Sequence, residues 1–84
     1  MDPRTTLQTI LSGEGTATDR ADLNAWIARG GFAPRVQLHP ATDAWMMGDR
    51  YGECVRIGTR FAYIKCDRSG QTRKVALVNV YAVI

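Results

Sequence analysis

From Arg50 onward the large apolar residues recur at every second position, broken by two glycine-marked reversals. Across GTRFAYIKCDRSGQTRK, Gly58 to Lys74, the residues Phe61, Tyr63 and Lys65 alternate with Ala62, Ile64 and Cys66. A period of two puts successive side chains on opposite faces of an extended chain, so this region predicts β-strands and excludes a long amphipathic helix. Gly58-Thr59 fits a two-residue reverse turn with glycine first. Asp67-Arg68-Ser69-Gly70 fits a type I turn ending in a left-handed glycine bulge. Gln71 to Ala76 then makes a third strand, and LVNVYAVI reads as a turn followed by a short closing strand. Three meandering strands, a brief turn and a last strand describe a small antiparallel barrel over residues 49–84.

The first 34 residues follow a different period. In DPRTTLQTILSG, Asp2 can cap the free N–H groups of a helix, Pro3 suits its first position and Gly13 its left-handed stop. Thr16 with Asp19 resembles a capping box for a second helix, which carries Leu23, Trp26 and Ile27 on one side. That helix ends at Gly30 or Gly31, with Phe32 placed to pack back on its last turn and Pro34 barring continuation. Residues 35–48 read as an irregular linker with a short extended piece at Val36 to Leu38 and one helical turn around Asp43 to Met46. At 84 residues there is room for one thin core, burying about 60–65% of the unfolded chain's surface. The expected architecture is a single α+β domain, a pair of short helices packed on the barrel.

Cross-strand register decides what the hairpin's aromatic side does. A loop at Gly58-Thr59 pairs Arg56 with Phe61 and Cys54 with Tyr63. For the next hairpin, pairing Asp67 with Gln71 sets Tyr63 opposite Val75 and Phe61 opposite Leu77, an apolar wall that belongs inside. A loop one residue different sets Tyr63 opposite Lys74 and Phe61 opposite Ala76, and the wall becomes mixed and basic. The glycine bulge and the match of large residues with large neighbours favour the first register, with both rings in the core.

Charge is divided unevenly along the chain. Residues 1–44 hold four arginines against five carboxylates, whereas residues 45–84 hold seven cations against three carboxylates. A basic half of this kind suits a polyanionic partner. Catalytic chemistry finds little support. His39, the only histidine, stands in the linker beside Pro40; Ser12 and Ser69 are explained as turn residues; Gly13-Glu14-Gly15 lacks the lysine and the preceding strand of a phosphate-binding loop. Caps and turns account for most carboxylates and leave Asp43, Asp49 and Glu53 least constrained. Cys54 and Cys66 fall within strand patterns, without metal-ligand spacing, and are expected as buried thiols. No enzyme activity, cofactor or metal is expected. No apolar run reaches the ~20 residues that span a bilayer, and MDPRTTLQTIL lacks the pattern of a secretory signal, so no membrane partner and a cytoplasmic location are expected.

The piece MMGDRYGECVRIGTRFAYIKCDRSGQTRKV, Met46 to Val75, resembles short proteins encoded by bacteriophages and other mobile elements and, at the level of fold, KOW-type and other SH3-like barrels. Gly48-Asp49-Arg50-Tyr51-Gly52, Ile57-Gly58 and Asp67-Arg68-Ser69-Gly70 carry the resemblance, with AWIARGGFAP in the helical part. It implies an SH3-like barrel and a binding role, since such barrels take nucleic acids, peptides or other proteins. The leading expectation is a non-enzymatic accessory protein that contacts DNA or RNA phosphates through Arg56, Arg60, Arg68, Arg73 and Lys74 on the barrel's rim, with Tyr63 or Phe61 stacking on bases only in the second register. The alternative is a protein-interaction module, an adaptor or inhibitor of a host protein or a homodimer, using a sheet edge or the Trp45, Met46 and Met47 cluster. That cluster otherwise serves as a plug closing the barrel's end.

Overall fold

Helix α1 (Pro3–Leu11) starts where the sequence marks it: Asp2 accepts from the Arg4 amide at 3.0 Å and from the Thr5 hydroxyl at 2.9 Å. Helix α2 (Ala17–Ala28) carries the complete capping box, with Thr16 and Asp19 each bonded to the other's backbone amide. Beyond its end Phe32 folds back edge-on to Trp26, whose indole N–H donates to the Phe32 carbonyl at 3.0 Å. The computed structural model describes all residues, 1–84, and continues with β1 (Arg35–Leu38), a single helical turn α3 (Asp43–Met46), β2 (Tyr51–Ile57), β3 (Phe61–Cys66), β4 (Thr72–Ala76), a 3-10 turn (Leu77–Asn79) and β5 (Val80–Val83).

These strands form one antiparallel sheet in the order β4-β3-β2-β1-β5. The fold is α+β, and the sheet stays open: β4 and β5 are its two edges and do not pair with each other. The extended piece inside the expected linker is an inner strand, lying between β2 and β5. Alternation along β1, β2 and β3 then sends one parity of side chains to a single core. Val36, Leu38, Cys54, Ile57, Ala62, Ile64, Cys66 and Val75 join Leu7 and Ile10 of α1 and Leu23 of α2 in one buried cluster. Both cysteines are free thiols within it.

Both hairpin registers differ from the favoured expectation. In the first, the Gly58 amide donates to the Phe61 carbonyl, so the two-residue loop is Thr59-Arg60, and Ile57 pairs with Ala62. A bulge at Val55 absorbs the slip and brings Cys54 opposite Ile64, so that Cys54 replaces Val55 on the core face. In the second, Tyr63 pairs with Lys74 and Phe61 with Ala76. Asp67 has left the strand: its amide donates to the Tyr51 carbonyl and its carboxylate accepts from both terminal nitrogens of Arg35 in a two-pronged ion pair, and the loop is four residues long, ending at left-handed Gly70. Phe61 and Tyr63 are consequently not core residues. They share the outer face with Lys65, and the inner face is filled by the smaller Ala62, Ile64 and Cys66 beneath the helices.

Asn24 and Gly52 fix this arrangement. Where β1 has ended, the Asn24 amide of α2 takes its place beside β2, donating to the Ile57 carbonyl at 2.8 Å and accepting from the Ile57 amide at 2.9 Å. Gly52 lies beneath β3, where an added Cβ would come within 2.5 Å of the Lys65 carbonyl oxygen, so only glycine lets β2 and β3 approach this closely.

Candidate functional site

The outer face of β2, β3 and β4 follows directly from the registers just described. Along β3 it carries Phe61, Tyr63 and Lys65; from β4 come Thr72, Lys74 and Ala76, and from β2 come Arg56, Glu53 and Tyr51. Phe61 is 37% exposed, a large fraction for a phenylalanine in the middle strand of three. Lys74 reaches across so that its ammonium lies 4.3 Å from the centre of the Phe61 ring, and the Arg56 guanidinium lies 5.7 Å from that of Tyr63. Each ring is thus flanked by a cation at a distance where the ring's negative face attracts it. Arg60 stands exposed in the adjoining β2–β3 turn, and Lys65 at the other end of the row.

None of these four cations is bound by a carboxylate. The two ion pairs of the protein are Arg35 with Asp67 and Arg73 with Asp49. Glu53, opposite Lys65, is the one carboxylate of the face not held elsewhere. The result is a positively charged strip with aromatic rings along its midline.

Of the five cations expected to form a basic rim, the fold gathers Arg56, Arg60 and Lys74 and separates the other two. Arg73 pairs with Ile64 in the ladder and so shares the core-facing side of β4 with Val75. Its Nε donates at 2.7 Å to Asp49, which is 2% exposed and also accepts from the Ser69 amide at 3.2 Å and hydroxyl at 2.9 Å. The Arg73 guanidinium holds the Asp49 carboxyl below its ordinary range against the opposing effect of burial. This latch pins the β3–β4 loop and commits the Arg73 Nε to Asp49. Arg68 lies at the far end of β3 from Arg60, with its guanidinium against the backbone of Gly48. Lys65 was absent from the expected set, although its parity with Phe61 and Tyr63 marked it.

The second expected surface is arranged differently from a plug. Ala44 is the buried residue of α3, while Met46 and Met47 are 79% and 70% exposed. Trp45 is half-buried, tilted on Tyr51, with the Arg50 guanidinium 4.7 Å from its ring centre. The residues considered for chemistry are dispersed. His39 Nδ1 accepts from the Ala41 amide at 3.0 Å and its ring meets Tyr81 edge-on; no three of the protein's His, Cys, Asp or Glu side chains cluster to hold a metal ion. Burial pushes the Cys54 thiol up to about 11. No helix is long and apolar enough to cross a membrane. Comparison with protein-family models, with curated proteins and with solved structures finds no match to this chain.

Proposed function

We propose that this chain is a small non-enzymatic accessory protein that binds nucleic acid through the outer face of β2, β3 and β4. The observation that carries the reading is the strip of four cations, Arg56, Arg60, Lys65 and Lys74, none engaged in an ion pair, against the single carboxylate Glu53. Unpaired cations on a strand surface contact phosphates without sequence preference, which is the electrostatic part of nucleic-acid affinity. The meander of β2, β3 and β4, followed by a 3-10 turn and the short β5, supports an SH3-like sheet of the kind the sequence resemblance implies in phage and mobile-element proteins. The basic surface therefore belongs to the sheet's face, with Arg73 and Arg68 outside it. Fluorescence anisotropy with a labelled oligonucleotide at low salt tests the reading: binding is expected, and Arg56→Glu with Lys74→Glu abolishes it. Equal affinity in that double variant would refute it.

The exposure of Met46 and Met47 favours a second reading, a protein-interaction module or homodimer. Light scattering distinguishes the homodimer: a dimeric mass returned to monomer by Met46→Asp supports it, and a monomeric mass at all concentrations excludes it.

A further inference from the structure

We infer that the nucleic acid taken by this face is single-stranded, with successive bases seated on Phe61 and Tyr63; the inference rests on the nucleic-acid reading above and specifies its substrate. Phosphates of a duplex can be met by cations alone, because the bases are stacked on one another and present no free face. Here the midline of the strip is aromatic. Phe61 and Tyr63 stand two residues apart on one side of β3, about 7 Å along the strand, and their chain order with the flanking cations is Arg60, Phe61, Tyr63, Lys65. Lys74 and Arg56 approach the same rings from the neighbouring strands. Rings along the middle with cations beside and beyond them match a chain that offers bases and phosphates in alternation, which only an unpaired strand does. Neither ring is needed by the core, whose cluster contains no residue of this face. The backbone of β3 is paired on both sides, so the rings project from a fixed platform.

The test uses the full chain and three labelled probes of equal length: oligothymidylate, oligouridylate and a DNA duplex. Either single strand is expected to bind at least about tenfold more tightly than the duplex. Phe61→Leu and Tyr63→Leu, which keep an apolar side chain but remove the π-face, are each expected to weaken single-strand binding by roughly 5- to 150-fold and to leave duplex binding within about twofold. Both variants alter exposed or half-exposed positions, and circular dichroism verifies their fold. Equal affinity for duplex and single strands, unmoved by the leucine variants, overturns this inference while the nucleic-acid reading stands. Binding to none of the probes at low salt overturns both.

Discussion

Asn24 is the residue through which α2 grips the sheet, and its removal has a calculable cost. Its amide exchanges two hydrogen bonds with Ile57, at 2.8 and 2.9 Å, where β2 has no strand partner on that side. Each such bond contributes about 0.5–1.5 kcal/mol net. In Asn24→Ala both are lost and the Ile57 amide and carbonyl are left beside a buried side chain with water as their only recourse, for a combined loss of about 2–3 kcal/mol. Alanine's better helix propensity returns about 0.7 kcal/mol. The expected net destabilisation of about 1–2.5 kcal/mol corresponds to a fall in Tm of roughly 5–20 °C for a domain this small. Differential scanning calorimetry or thermal circular dichroism measures it, with Thr18→Ala, an exposed change on the same helix, moving Tm by no more than a few degrees. Asn24→Asp is expected to cost at least as much as alanine, because the carboxylate cannot donate to the Ile57 carbonyl. A Tm unchanged or raised in Asn24→Ala would refute the role assigned to this amide.

Acidification tests the Asp49 latch. The folded-state carboxyls of Asp49 and Asp67 are held below the ordinary 3.8 by Arg73 and Arg35 respectively, so folding favours their charged forms. Their contribution to stability is complete above that ordinary value and is lost as pH falls through the lower folded-state values. Thermal melts across the acid range are expected to decline below about pH 4, with a shallower decline in Asp49→Asn; identical slopes in the two proteins would contradict the latch. Cys54 and Cys66 are both buried, and burial raises both thiols. Neither should react with a thiol-specific disulfide reagent in the native protein at mildly alkaline pH, and both should react in denaturant; rapid native reaction of either would place it outside the core.

Helix boundaries were legible in the sequence because their signals are local. Asp2, Thr16 and Asp19 cap backbone groups within three residues of themselves, at helix starts whose amides have no partner inside the helix. The strands and their order in the meander were legible for the same reason. Register was not, because it depends on partners far away in sequence: Arg35 drawing Asp67 out of the strand, Asp49 holding Ser69, and Asn24 closing the end of β2. Pairing large rings with large neighbours favours an apolar inner wall, yet Lys65 shares their parity, and a lysine on a thin core's inner face would cost more than exposing two rings. That residue was the available sign that Phe61 and Tyr63 face outward. Arg73 misled in the opposite direction. Its neighbours Lys74 and Thr72 point outward, and its parity with Val75 was the local sign that it does not; what the sequence hid was its partner, a buried carboxylate 24 positions earlier.

The account depends most on the outer face of β3 being the surface that meets the ligand. Titrating a short oligothymidylate into isotopically labelled protein and following amide and side-chain NMR signals tests this directly. Shifts concentrated at Arg56, Arg60, Phe61, Tyr63, Lys65 and Lys74, with Arg73 and Met46 unmoved, are the predicted result; shifts centred on Met46 and Met47 or on the β5 edge, with the β3 rings silent, would contradict it.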